Sequence, residues 1–264
     1  MRKPRLTTIR LLHRTDEPVA TMLFNRPERL NALSRVLLGE IVDACRWLDA
    51  TTEIKAVVVR GAGRAFSAGF DLADFQQLGD QGGERVDPRD SADLGRVAAE
   101  ALTDVRPLTV AAVHGHCVGG GLVLAAACDL RIAADDVRFS IPEVDLGIPL
   151  AWGGIPRLVR ELGPAITKEL VLTCRPFGAE EALALRFLNR VVPADEVVAA
   201  ADALAGELAS KPTFSLRATK MHVNAVMDEI AGVGRNANDA DTLVAALHDP
   251  ESREASRRYL RSRS

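Results

Sequence analysis

The chain has 264 residues, 47% of them hydrophobic, and 33 basic against 36 acidic side chains for a net charge of −3. That length and apolar content support a substantial core, as one large domain or two small ones. The near balance of charge offers no electrostatic footprint for nucleic acid, and no apolar run reaches the roughly 18 residues of a membrane helix. Cys45, Cys117, Cys128 and Cys174 are scattered without a CxxC pair, which points to reduced thiols and a cytoplasmic setting.

Residues 1–14 carry arginines and no acids, the pattern of an organelle transit peptide. Residues 6–12 nevertheless read as a strand with residues 19–24 as its hairpin partner, so the fold is expected to start at once. Ser34 is placed to cap a helix running through Trp47, with Val36, Leu37, Ile41 and Leu48 among its apolar positions. Ala56-Val57-Val58-Val59 and Thr109-Val110-Ala111-Ala112-Val113 are short apolar runs of the kind that form strands buried on both faces. Between Asp71 and Ser91 the polar, glycine-bearing stretch 76–84 predicts a mobile loop, followed by a helix over 92–105. From about Gly153 strand signals fade into helical patterns at 153–162, 164–173, 179–186, 195–210, 213–230 and 237–262. The reading is an α/β core over 1–195 and a helical region over 196–264. Apolar helix faces beyond a finished core pack on that core and on neighbouring subunits. The terminal Arg253, Arg257, Arg258, Arg261 and Arg263 suit a solvated or subunit-contacting face.

Four short motifs carry chemistry. The stretch 61–72, Gly-Ala-Gly-Arg-Ala-Phe-Ser-Ala-Gly-Phe-Asp-Leu, follows a strand and opens Gly-x-Gly, but Phe66 stands where a dinucleotide fingerprint needs its third glycine. Ser67 in Ala65-Phe66-Ser67-Ala68-Gly69 resembles a nucleophile elbow, but it lacks the leading glycine and lies too far past the strand. Small residues at 68–69 give a ligand access to backbone, and Asp71 is placed to cap a following turn. Gly119-Gly120-Gly121 precedes apolar residues 122–127 and makes a strand–turn–helix entry whose free N–H groups attract an oxyanion. His114 and His116 have metal-compatible spacing but no third ligand, so no metal site is expected. Glu143, in Ile141-Pro142-Glu143, lies just past a strand among apolar neighbours, where desolvation raises a carboxyl pKa and makes it a better base. In Cys128-Asp129 the acid, like Asp145, reads as a structural cap or ion-pair partner. Two glycine turns aiming N–H groups at one point, with a carboxylate nearby, suit chemistry that passes through an enolate.

Together these segments resemble the enoyl-CoA hydratase/isomerase (crotonase) superfamily. The likeness covers the N-terminal hairpin to about Val192, through Asn25-Arg26-Pro27-Glu28-Arg29-Leu30-Asn31-Ala32-Leu33, the four motifs and residues 182–192. It implies an α/β fold, a crotonase-like spiral of ββα units with a helical C-terminal oligomerisation region that builds homotrimers, often paired as hexamers. It also implies an oxyanion hole from the N–H groups of Phe70 and Gly120. Ala68, Phe70, Asp71, Leu72 and Ala73 would line the CoA-thioester site, and Arg29, Leu30 and Ala32 match the segment whose backbone meets the adenine end of CoA. No cofactor is implied, because coenzyme A enters as part of the acyl-CoA substrate, and neither nucleic acid nor a membrane span is expected.

The resemblance breaks at one position. Hydratases of the family hold and activate water with two glutamates; Glu143 matches one, and Val123 occupies the place of the other. Valine can neither hold nor deprotonate water. The inventory therefore implies Δ3–Δ2 enoyl-CoA isomerisation, with Glu143 as the single base. A hydratase using Asp145, Asp74 or a loop carboxylate, and a CoA-ester-binding paralogue without chemistry, are the alternatives. Acyl-chain preference is expected to depend on the 71–91 segment and on residues around Ala151 and Trp152.

Overall fold

A computed structural model describes residues 2–79, 87–232, 234 and 238–262. Six strands form the main sheet in the order β1 (Ile9–Leu12), β2 (Val19–Phe24), β3 (Ala56–Gly61), β4 (Leu108–Val113), β6 (Leu130–Ala134) and β9 (Arg190–Val192). β1 and β2 are the expected antiparallel hairpin, and every later pairing in the sheet is parallel. A second, three-stranded sheet joins β5 (His116–Val118), β7 (Arg138–Ser140) and β8 (Phe177–Gly178). β4 and β5 lead into helix α4 (Gly120–Ala127), and β6 and β7 into α5 (Gly154–Leu162), so the ββα repeat is present.

The central strands are apolar without alternation because both faces are covered. Val57, Val59, Ala111, Val113 and Ala133 point into the larger core with α1 (Arg35–Ala50), α3 (Pro88–Asp104) and α4. Their neighbours Val58, Val110, Ala112 and Ile132 pack on the opposite face against Val197, Ala201 and Leu204 of α8 (Val197–Ala209). α4 is buried along its whole length, which explains its lack of any polar side chain.

Ser34 caps α1 as expected, its side chain accepting from Leu37 N at 3.2 Å. Val36 does not join the buried stripe and is 56% exposed, because it stands about 140° round the helix from Ile41. Glu40, on the same helix, carries the N-terminal strand: its carboxylate accepts from the backbone N–H of Thr7, Thr8 and Ile9 and from both threonine hydroxyls.

Several expectations are corrected. The segment after Asp71 is not a loop throughout: Leu72–Gly79 forms helix α2, and α3 begins at Pro88 rather than residue 92. Asp71 Oδ1 accepts from Ala73 N, and Asp87 accepts from Arg89 N, so side-chain caps start helices in a sequence whose polarity reads as loop. Residues 80–86 of that expected loop lie outside the described residues. Strand structure persists past Gly153, because β8 and β9 have only two and three residues and leave no periodic signal. The expected helix at 237–262 is two, α10 (Asp239–His248) and α11 (Pro250–Arg261). Pro250 cannot continue α10, and Asp249 restarts the chain by accepting from Ser252 N. α6 (Pro164–Thr173), α7 (Ala179–Ala184) and α9 (Thr213–Ala231) complete the helices used below.

Candidate active site

Two backbone arms meet at the site. The first follows β3 and is pinned by Asn31, which is fully buried. Its Nδ2 donates to Ala62 O and Ala65 O, both at 2.8 Å, and its Oδ1 accepts from Arg26 N. Ser67 is structural rather than nucleophilic: its hydroxyl donates to Asn31 O at 2.9 Å and accepts from Gly69 N. Leu33 N donates to Gly69 O, and Asp71 N donates to Leu33 O. Because successive groups of an extended backbone point in opposite directions, that pairing turns the Phe70 N–H to the other side. Gly69 is required at φ +88, where a Cβ would fall 2.9 Å from Val118 O.

The second arm enters α4 through Gly119, whose φ is +49. Leu122 N and Val123 N both donate to Gly119 O, while the Gly120 N–H, at the first helical position, has no intrahelical acceptor. Free N–H groups there carry the positive end of the helix dipole. The arms touch, since a Cβ on Gly121 would fall 2.8 Å from the Ser67 side chain.

Glu143 comes from a turn just after β7, held by Leu146 N donating to Pro142 O and Ile148 N donating to Glu143 O. It lies in no helix, so a helix-start role does not account for it. The residue is half-buried as a whole, but its Oε2 is buried with no hydrogen-bond partner. Burial pushes the carboxyl up to about 7, only partly offset by its own backbone N–H.

These groups share one cavity of about 40 Å³, lined by Phe70, Gly120, Val123, Glu143, Trp152 and Leu243 among others. Glu143 is the only ionisable side chain among its described lining residues. An outer cleft of about 430 Å³ shares Phe70 and Glu143 with it and adds Leu30, Ala68, Leu72 and Tyr259. A larger hollow, about 570 Å³, lies under α9 and is lined by neither Glu143, Phe70 nor Gly120. Size does not make it the site, because the convergent groups are elsewhere.

Of the residues expected along the CoA ester, Phe70, Ala68 and Leu72 from the thioester segment and Leu30 from the adenine segment line the outer cleft. Arg29, Ala32, Asp71 and Ala73 do not. Ala32 gives its carbonyl, and Asp71 its carboxylate, to Arg26 Nη1 at 2.6 and 2.8 Å, while Arg29 and Ala73 are exposed. Asp129 is the expected ion-pair partner: its Oδ2 accepts from Thr109 N, Thr109 Oγ1 and the buried Lys220 ammonium. Asp74 accepts from Arg35 N, and Asp145 is exposed; neither lines the inner cavity. His114 Nε2 lies 3.0 Å from Gly63 O, and the described residues contain no group of three potential metal ligands. No helix among them is long and apolar enough to cross a membrane.

Sequence reasoning missed the clamp formed by Asn31, Ser67 and Arg26, because its partners are carbonyls and a carboxylate brought near only by folding. It also missed the packing of Trp152 on Gly120, where a Cβ would fall 2.2 Å from the indole. A small residue in each of two distant segments was the only available signal.

Known proteins resemble this chain in sequence and in fold. The family model described as enoyl-CoA hydratase/isomerase matches residues 14–264. The crotonyl-CoA hydratase of Syntrophomonas wolfei is 34% identical over 210 residues, covering 79% of each chain. The short-chain-enoyl-CoA hydratase of Clostridium acetobutylicum is 33% identical over 207 residues, covering 78% of this chain and 77% of its own. Among solved structures, an enoyl-CoA hydratase/isomerase from Mycobacterium paratuberculosis superposes with a TM-score of 0.86 at 27% identity, over 96% of this chain and 99% of that one. With its ββα core, its helical C-terminal region and these matches, the chain belongs to the enoyl-CoA hydratase/isomerase family and is a crotonase-fold enzyme.

Proposed function

We propose that the enzyme moves the double bond of a 3-enoyl-CoA to C2. The observation that carries this reading is a single buried carboxyl, Glu143, facing a cavity otherwise apolar among the described residues, with Val123 in its wall. Glu143 takes a proton from C2, and the electron pair delocalises onto the thioester oxygen. The N–H groups of Phe70 and Gly120 hold that oxygen, each contributing on the order of 10²–10³ in rate. The resulting dienolate is planar, so the same carboxylic acid returns its proton to C4 from the same face. The double bond then lies between C2 and C3, conjugated with the carbonyl. A carboxyl shifted to about 7 suits both halves of this shuttle, since it accepts and releases a proton with little cost near neutral pH.

A hydratase is the second reading, favoured by the names of the relatives above. Hydration needs a second group to hold and polarise water, and the described wall supplies none. Incubation with a 3-enoyl-CoA and, separately, a 2-enoyl-CoA separates the two: appearance of the conjugated thioester from the first supports isomerisation, and loss of conjugation from the second without it overturns it.

The assembly we propose is a homotrimer or a pair of trimers, with α9 in the contact. Phe214 and Met221, seven positions apart and so on one face of that helix, are 83% and 71% exposed, large apolar groups that call for cover. Light scattering of the purified protein gives the mass; a monomeric value would remove this part of the reading.

A further inference from the structure

Trp152 sits between two helices that each offer it a glycine. A Cβ on Gly95 of α3 would fall 2.0 Å from the indole, and one on Gly120 of α4 would fall 2.2 Å from it. The indole N–H donates to Ala92 O at 3.1 Å, and the ring meets Phe70 edge-on with centroids 5.5 Å apart. The backbone at Trp152 is held at φ +62, the left-handed region that a bulky side chain adopts only under constraint. The constraint is visible. Buried Arg157 donates to Trp152 O and Gly153 O, at 3.2 and 3.1 Å, and Gly153 N donates to Asp239 at 2.8 Å.

The indole and Leu243 help enclose the inner cavity and leave about 40 Å³ beside Glu143. A cavity of ~150 Å³ is what admits benzene, so this one has room for only a carbon or two beyond the reacting atoms. Among its described lining residues the only polar side chains are Glu143 and Trp152, whose N–H is taken by Ala92 O, so no free side-chain group there would recognise a functionalised acyl tail.

We propose that Trp152 determines substrate specificity by closing the acyl pocket, so that the enzyme takes short, apolar acyl groups of about four to six carbons. The inference rests on the acyl-CoA reading of the site and adds to it the class of acyl group and the residue that sets it. An added methylene that a rigid apolar pocket cannot accommodate costs roughly tenfold, so discrimination between short and long chains is expected to be steep.

The test measures calorimetric affinity for saturated butanoyl-CoA and dodecanoyl-CoA, with free coenzyme A as reference, in wild type and two variants. Trp152→Gly opens the space between α3 and α4 and relieves the φ +62 backbone; Trp152→Phe opens part of it and perturbs folding less. Wild type is expected to bind butanoyl-CoA at least about tenfold more tightly than dodecanoyl-CoA. The ratio should fall partway in Trp152→Phe and close or invert in Trp152→Gly, with the affinity for free coenzyme A unchanged. A general loss of stability would not reorder ligands by length. Equal affinities in wild type, or a ratio that neither variant moves, would overturn the role of Trp152 while leaving the acyl-CoA reading intact. Failure of every acyl-CoA to bind more tightly than coenzyme A would overturn both.

Discussion

Gly119 leaves no room for a side chain against Glu143: a Cβ on residue 119 would stand 2.3 Å from Glu143 Oε1. The glycine that opens α4 therefore also limits where the Glu143 carboxyl can lie. The backbone there, at φ +49, already excludes most side chains.

Gly119→Ala should accordingly damage catalysis more than binding. The new methyl group displaces the carboxyl, and a misplacement of about 1 Å costs on the order of 10²-fold in turnover. Steady-state kinetics on a 3-enoyl-CoA checks this; an unchanged kcat would mean that the position of Glu143 Oε1 is unimportant.

Glu143→Gln should remove the base while preserving the shape of the site. Turnover falls by on the order of 10⁴, with acyl-CoA affinity retained. In wild type kcat/KM should climb through an inflection near 7, where the buried carboxyl ionises. The same shift carries a stability cost of opposite sign. Because the folded-state pKa is raised from 4.5 to about 7, the folded state holds its proton longer than the unfolded chain. Stability contributed below about 4.5 is lost as the pH rises to 7 and beyond, by up to about 3 kcal/mol. The Gln variant should thus melt above wild type at pH 8 and show no such gain at pH 4. Coincident melting at both values would contradict the burial of this group.

Val123→Glu installs a second carboxylate in the lining of the inner cavity. Hydration of a 2-enoyl-CoA should rise by on the order of 10² over wild type, with isomerisation reduced. The side chain at 123 is fully buried and abuts Gly154, where a Cβ would meet Val123 Cγ2 at 3.0 Å. Some loss of melting temperature is therefore expected. A folded variant with no hydration would show that residue 123 does not select the reaction.

Glu40→Gln tests the tie between α1 and the N-terminal strand. Burial alone would raise the carboxyl pKa, but the backbone and hydroxyl donors of Thr7 and Thr8 outweigh it and hold the group below the usual carboxylate range. Its contribution is present above about 4.5 and disappears as acid protonates it, so wild type should lose stability on acidification below that value. The Gln variant should lose less on acidification and start about 2 kcal/mol lower at pH 7, as read from denaturant midpoints. Equal acid sensitivity in the two proteins would exclude this group as the cause.

How far the sequence could be read follows from the range of each interaction. The runs at 56–59 and 109–113 announce buried parallel strands, and Ser34 announces α1, because those signals are local. The triple glycine and Pro142-Glu143 mark the entry to α4 and the turn that carries the cavity's carboxyl for the same reason. The contacts of Glu40, Asn31 and Trp152 leave no local signal, because they form only when segments dozens of positions apart come together. Glu40 meets Thr7 across 33 positions, and Trp152 meets Ala92 across 60. β8 and β9 escaped notice for the opposite reason, being too short to show any period. Polar composition misled at 72–79, where side-chain capping and a buried Phe75 outweigh it.

The orphaned Oε2 of Glu143 has a kinetic consequence. On the proposed isomerase reading, hydrogen captured there finds no relay group among the described residues, so delivery back to the carbon skeleton should outrun exchange. Deuterium placed at C2 would then reappear at C4, and the wash-out of label into solvent would be slow compared with turnover.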